Sequence, residues 1–353
     1  MNQTQPLRIP AGECTDHLAG LFGAAGLSPA PARRVATMLV EAELMGVPSH
    51  GLLQAPIYLR RLRAGTLATD ARMVRVHEAG SVAVYDARCM LGHIAVPQAV
   101  ASVARRARRH GIAAVAVRRG GHFGILGVPA EALAARGLFG LVMCNTRPMM
   151  PAPGGAEPAV GNNPLAIAAP VAGGPPVVFD MAMSAAAMGR IRRAAALGEP
   201  IPDGWAVDAD AAPTKNAGAA VAGMLLPAAG PKGFGLALMV DLLSGVLSGG
   251  ALGAEVASMY ADPAEPAHCS WLLVALDPQH FGLAAPAGTR VAAELERLRG
   301  LRRRSGAEPL LLPGERKRTA RAASGANVTL PAPLVAELDG LAAEAGLPPL
   351  ARP

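Results

Sequence analysis

The segment Pro48-Ser49-His50-Gly51 sets a hydroxyl beside an imidazole directly after a well-punctuated helix, with Gln54 and Tyr58 close behind. Ser28 can cap that helix and Pro29 suits its first turn. Val35, Met38, Leu39, Ala42 and Met45 recur at helical spacing, Gly46 stops the run, and Pro48 prevents a restart. A histidine in such a turn suits proton transfer, because its unperturbed pKa lies nearest neutrality. The same residues also read as a capping serine and a surface imidazole. A second imidazole, His122, lies in Gly120-Gly121-His122-Phe123-Gly124, just past an apolar run that ends at Val117. Ligands of α/β proteins bind at strand ends, and glycines let backbone approach them closely. A glycine-rich turn with a partly buried histidine is the alternative.

Three further segments suit an anionic ligand. Asp180-Met181-Ala182-Met183-Ser184 ends a strand and feeds a helix predicted over Ser184 to Leu197. The free N–H groups and dipole of a helix start favour phosphate or carboxylate; a plain cap by Ser184 is the alternative. Pro231-Lys232-Gly233-Phe234-Gly235 opens a long helix, and a lysine among glycines there suits a phosphate. Leu312-Pro313-Gly314-Glu315-Arg316 is a turn with a carboxylate near several arginines, or a solvent-exposed loop. The chain has neither the spacing of a Walker A loop nor a G-x-G-x-x-G after a strand.

The elements that must position these groups alternate. Helices are predicted over 28–46, 51–64, 93–110, 128–136, 184–197, 288–299 and 330–346, with another long one following Lys232. Its apolar side is predicted from Leu236, Met239, Val240, Leu243, Val246 and Leu247. Strands are predicted over 74–85, 112–117, 138–144, 177–179 and 271–276, of which Ile112 to Val117 reads as buried. This alternation predicts an α/β protein with a largely parallel or mixed sheet. The Gly/Pro/Ala-rich segments 148–164 and 198–230 read as functional loops, and 300–325 as a mobile basic stretch.

At 353 residues the chain is long enough for two domains. No apolar run of about 18 residues stands out as a membrane helix, and no secretory signal is read at the N-terminus, so a cytoplasmic protein is expected. Cys14, Cys89, Cys144 and Cys269 are widely spaced and read as free thiols, with no metal site. The net charge is +7, but ten of the 33 Lys and Arg residues fall between Arg290 and Arg321 without aromatics to stack on bases. Attraction of a small anion is therefore expected, and neither a nucleic acid nor a membrane as partner.

The order of the motifs carries a resemblance. Ser-His-Gly with Tyr58, His122-Phe123-Gly124, Gly161-Asn162-Asn163-Pro164, Asp180 to Ser184, Pro202-Asp203-Gly204-Trp205-Ala206, Lys232 to Ala237 and Pro313-Gly314-Glu315 together resemble the malate/L-lactate dehydrogenase family over about residues 7–350. The resemblance implies an α/β, non-Rossmann NAD(P)-binding fold with a mixed sheet flanked by helices. It further implies a helical substrate and dimer domain of residues 1–75 with 320–353, an α/β cofactor domain of 76–319, and a homodimer. The implied reaction is hydride transfer between NAD or NADP and C2 of a small 2-oxo acid. A cyclic 2-imino acid is the alternative substrate, and a catalytically impaired nucleotide-binding paralogue the alternative role.

By the same resemblance, His50 with Ser49 beside it, or His122, exchanges the substrate proton, and Asp208 partners a histidine. Gln54 and Tyr58 face the substrate. The cofactor is expected along His122, Asp180, Met183, Ser184, Ala185, Gly189, Pro231, Lys232, Gly233, Gly314, Glu315 and Arg316. The chain departs from the family pattern at the substrate end. Gln54 stands where the family carries the arginine that grips the substrate carboxylate, and a neutral amide cannot make that bidentate charged pair. Arg60, Arg61 or Arg147 could supply a replacement cation, or the substrate differs. Gly121 replaces an asparagine, and Gly127-Val128-Pro129 replaces aromatic residues.

Overall fold

The apolar run after Gly111 forms a strand near the middle of a seven-stranded sheet in the computed structural model, which describes residues 6–70 and 72–351. The chain enters through β1 (Leu7–Pro10), α1 (Ala11–Ala24), α2 (Pro29–Leu44), two single-turn 3₁₀ segments (Pro48–His50 and Leu52–Gln54) and α3 (Ala55–Arg63). The sheet begins with β2 (Val74–Ala79) and β3 (Val82–Asp86), followed by α4 (Gly92–His110), β4 (Ile112–Gly120), α5 (Gly127–Ala134) and β5 (Phe139–Cys144). Next come β6 (Met150–Pro151), β7 (Pro158–Val160), β8 (Leu165–Ala169), β9 (Val177–Met181), α6 (Met188–Leu197), β10 (Ala206–Val207), α7 (Ala217–Ala222), β11 (Met224–Leu225) and α8 (Pro231–Ser248). The chain closes with β12 (Cys269–Leu276), α9 (Ala287–Arg299), α10 (Glu315–Ala323), β13 (Asn327–Leu330) and α11 (Ala332–Glu344).

The main sheet runs β2-β3-β4-β12-β5-β8-β9. Only β3 and β4 pair in parallel, so the sheet is mixed and mostly antiparallel. Side chains alternate across it. Val115, Val117, Trp271, Leu273 and Val142 enter the main core with α4, α5 and the N-terminal helices. Ala116, Leu272 and Met143 pack on the opposite face against Val240 of α8. The helical lobe is closed by β1 pairing antiparallel with β13, which joins the two ends of the chain. Neither short strand is evident in the sequence, because four residues carry too little periodicity. The division expected between 319 and 320 falls inside α10.

Several expectations need correction. Ser28 sits at the helix cap position, but its hydroxyl makes no capping bond. The helix expected from Ser184 begins at Met188. The segment 148–164 contains β6 and β7, and 198–230 contains α7, β10 and β11. The basic stretch 300–325 is ordered in its second half as α10. On α8 the face turned inward is made of Gly233, Ala237, Val240, Asp241, Ser244, Gly245 and Ser248. Of the apolar side read from the sequence, Leu236, Met239, Val246 and Leu247 are exposed, while Val240 and Leu243 pack on the sheet. Small residues let α8 lie close to the sheet, which turns its larger side chains outward. By length and hydropathy this helix would suffice to cross a membrane, contrary to the sequence reading, although it packs on β4, β5 and β12.

Candidate active site

His50 is placed by the turn that ends α2. Glu43, near the end of that helix, accepts a hydrogen bond from the Leu52 amide at 2.9 Å. A Cβ on Gly51 would lie 2.3 Å from Glu43 Oε1, so only glycine lets the chain pass over this carboxyl group. Ser49 Oγ lies 3.0 Å from His50 Nδ1, which leaves Nε2 as the ring atom for a ligand.

His122 follows the end of β4, as its position in the sequence predicts. The tight path there is held by the Gly121 amide donating to the Met90 carbonyl at 2.8 Å and by Gly92 donating to the His122 carbonyl at 3.0 Å. A Cβ on Gly121 would sit 2.7 Å from Met90 O, which accounts for glycine at this position. The rings of His50 and His122 are stacked, with centroids 5.6 Å apart and planes inclined by 28°. Tyr58, fully buried on α3, hydrogen-bonds His122 Nδ1 through its hydroxyl. His93 of α4 meets the Tyr58 ring edge-on at 5.5 Å.

Burial governs the titration of this cluster, because a charged ring would lose its hydration. It lowers the pKa of His50 and of His93, the latter to about 4, and lowers His122 well below the ordinary value. The neighbouring imidazoles push His122 further in the same direction. The Tyr58 hydroxyl is raised well above its ordinary pKa and stays protonated. At His50 the Asp180 carboxylate opposes the effect of burial and the Lys317 ammonium reinforces it.

Asp180 and Lys317 form an ion pair on the wall of a cavity of about 520 Å³. The end of β9, the start of α5 and the start of α10 line it, with Gly127, Asp180, Gly314 and Arg316 among its residues. Gly314 holds φ at +90°, and a Cβ there would lie 2.9 Å from Arg318 Nη1 and 3.2 Å from Val178 O. The cavity residues include Arg316, Lys317, Arg318 and Arg321, so a phosphate-bearing cofactor fits its charge, and the bare Gly314 backbone fits a close approach.

The other sequence-selected residues are placed differently. Glu315 braces its own loop: it accepts from the Leu312 amide at 2.8 Å and pairs with Arg299 at 2.9 Å. Met183, Ser184 and Ala185 form a strap rather than a helix start. Met183 N donates to Asn162 O, Ala185 N to Leu226 O and Ala228 N to Met183 O, each at 2.8 Å. The Ser184 hydroxyl bonds the Ala186 carbonyl at 2.8 Å, so these groups are already satisfied. Pro231, Lys232 and Gly233 open α8 beside that strap but are not among the residues lining the cavity. Gly189 packs on the turn that carries Ser49 and His50, where its Cβ would lie 3.2 Å from Ser49 Cβ.

Asp208 accepts from the amides of Asp210 at 3.1 Å and Ala212 at 2.9 Å and closes its own turn. The carboxylate that acts on His50 is Asp180. Arg61 is also committed elsewhere, donating to the carbonyls of Met259, Glu265, Ser258 and Asp262. Arg60 pairs with Glu337, and Arg147 donates to the adjacent Pro148 carbonyl at 3.4 Å.

Sequence reading missed His93, Lys317 and Tyr260, whose hydroxyl accepts from Gln54 Nε2 at 3.0 Å. His93 lies in a helix whose apolar spacing dominates, Lys317 in a run of basic residues, and Tyr260 in a long irregular segment. Nothing local distinguishes any of them from a surface or core residue.

Comparison with known proteins places the chain in a family. The chain matches the family described as malate/L-lactate dehydrogenase over residues 9–339. It is 38% identical over 317 residues to the (2R)-3-sulfolactate dehydrogenase (NADP(+)) of Chromohalobacter salexigens, covering 89% of this chain and 92% of that protein. It is 36% identical over 320 residues to the Delta(1)-pyrroline-2-carboxylate reductase of Pseudomonas fluorescens, covering 90% and 93%. A dehydrogenase structure from Sinorhizobium meliloti superposes with a TM-score of 0.89 at 35% identity, over 97% of this chain and 99% of that one. Matched by the family over residues 9–339 and more than 30% identical to these relatives over about nine-tenths of its length, the chain belongs to the malate/L-lactate dehydrogenase family.

Proposed function

We propose that this protein transfers a hydride between a nicotinamide dinucleotide, NAD or NADP, and C2 of a small 2-oxo or 2-hydroxy acid. The observation that carries this reading is the His50–His122 pair, 5.6 Å apart, beside the Asp180–Lys317 wall of the cationic cavity. Asp180, Gly314 and Arg316 would hold the cofactor, with Lys317 fixing Asp180. The cofactor supplies the hydride, and the chain supplies binding, orientation and the proton.

Reduction of a carbonyl develops negative charge on its oxygen, and two imidazoles meet that need in different ways. Tyr58 keeps its proton and donates it in a hydrogen bond to Nδ1 of neutral His122. The proton of His122 then resides on Nε2, where it can donate to the substrate oxygen without ionising. His50 is the ring whose charge is balanced between an acid and a base, through Asp180 and Lys317. His50 is therefore the proton donor in reduction and the acceptor in oxidation. General acid catalysis of this kind contributes about 10²–10⁴-fold.

A second substrate class is supported by Gln54. Both of its contacts use Nε2, to Ser49 O at 2.6 Å and Tyr260 Oη at 3.0 Å, while its buried Oε1 has no partner among the described residues. An acceptor there favours a substrate with an N–H, such as a protonated cyclic 2-imino acid. The helical lobe of 1–75 with 320–353 would carry His50, and 76–319 most of the cofactor cavity. A second copy of the chain would cover the exposed apolar face of α8 and make a homodimer.

The test is oxidation of NADH and NADPH by purified protein with linear 2-oxo acids and cyclic 2-imino acids. Turnover confined to one class identifies the reaction. Absence of turnover with either, together with cofactor binding, would support the catalytically impaired role instead.

A further inference from the structure

Gln54 stands where the resemblance to the family leads one to expect an arginine on the substrate carboxylate, so a carboxylate-bearing substrate would need a cation from elsewhere in the fold. Gln54 itself cannot serve. Its amide nitrogen is committed to the Ser49 carbonyl and the Tyr260 hydroxyl, and the remaining oxygen repels a carboxylate. The carbonyl of Ser49 can only accept, so the amide orientation is fixed by that contact. Arg61 is buried against four carbonyl groups, Arg60 pairs with Glu337 on the surface, and Arg147 turns to the adjacent Pro148 carbonyl.

Tyr260, which Gln54 holds by its hydroxyl, carries the guanidinium of Arg192 over its ring, with Cζ 5.1 Å from the centroid. No carboxylate pairs with Arg192 among the described residues, and α6 brings it to the catalytic turn: Gly189, one helical turn earlier, packs on Ser49. His50, Ser49, Gln54, Tyr260 and Arg192 thus form a continuous chain of contacts. Stacking on a tyrosine face holds a guanidinium in place while leaving its N–H edge free.

We propose that Arg192, stacked on Tyr260, grips the substrate carboxylate in place of an arginine at position 54. Gln54 acts as a positioning residue that locks Tyr260 beneath the guanidinium. This inference rests on the proposed function, because it requires a carboxylate-bearing substrate; it applies equally to oxo and imino acids.

The experiment compares the whole protein with its Arg192→Gln, Arg193→Gln and Tyr260→Leu variants. Steady-state kinetics use the best carboxylate substrate and its neutral amide, and cofactor affinity is followed by NAD(P)H fluorescence. Arg192→Gln is expected to raise KM for the acid at least 10-fold, with kcat within about 3-fold and the cofactor Kd unchanged. Tyr260→Leu should follow it. Arg193→Gln removes the same charge one residue away and should leave KM within about 2-fold. With the amide, wild type and Arg192→Gln should become equal. An unchanged KM in Arg192→Gln, or an equal loss in Arg193→Gln, would overturn the assignment while leaving the proposed reaction intact. Wild type that turns over no oxo or imino acid would instead refute the reading on which it rests.

Discussion

His50 and His122 stack at 5.6 Å although they come from different parts of the fold, one from the turn after α2 and the other from the turn after β4. The pair forms because the helical lobe packs against the end of the sheet at which β4 finishes. Tyr58 and His93 support it from below, and each of these four side chains is presented by a different element.

Tyr58→Phe retains the buried ring but removes the hydroxyl that fixes the His122 tautomer. We expect kcat to fall about 10-fold, the equivalent of roughly 1.4 kcal/mol in barrier height. The thermal midpoint should move by only a few degrees. Unchanged kcat in steady-state assays would show that His122 needs no tautomer lock.

Asp180 and Lys317 act on His50 in opposite senses. Lys317→Met should raise the His50 pKa and Asp180→Asn should lower it further, both read by NMR titration of the imidazole. Both variants should also weaken NAD(P)H binding, by about 10-fold where a charged contact is lost, because they dismantle the cavity wall. Shifts in the same direction would contradict this electrostatic account.

Glu43, partly buried, and His93, fully buried, contribute to the pH dependence of stability in different windows. Burial raises the pKa of Glu43 to about 7, so its contribution is fully present below the unfolded value of 4.5 and is lost as pH rises through 7. Glu43→Gln keeps an acceptor for Leu52 and should raise the melting temperature at pH 8 by a few degrees, with little change at pH 4. Burial lowers His93 to about 4, so the unfolded chain takes up a proton that the folded chain refuses as pH falls below 6.5. Stability therefore declines from pH 6.5 toward 4, and His93→Asn should flatten that slope. Melting curves across pH 4–8 would reveal either effect or its absence.

Leu236, Met239, Val246 and Leu247 form a continuous exposed apolar side of α8. A pair of charges placed there, Met239→Glu with Val246→Glu, should convert the expected dimer to a monomer in sedimentation velocity, with the far-ultraviolet circular dichroism unchanged. A wild type that sediments as a monomer at micromolar concentration would exclude dimerisation through this face.

The chain itself determined the helix and strand periods, the glycine turns around both histidines, and the motif order that marks the family. These are local properties, set by side-chain spacing and by backbone conformations that only certain residues adopt. Tertiary structure decided which motifs work together. It brought Asp180 and Gly314 to one cavity, turned Met183, Ser184 and Ala185 into a satisfied backbone strap, and assigned Asp208 to its own turn. It also left most of the apolar side of α8 exposed, because close packing on the sheet favours glycine, alanine and serine over larger apolar side chains. Tyr260 and Arg192 became legible only through Gln54, whose partner lies 206 residues further along the chain. Contacts at such separation are made by packing, and no local pattern of residues encodes them.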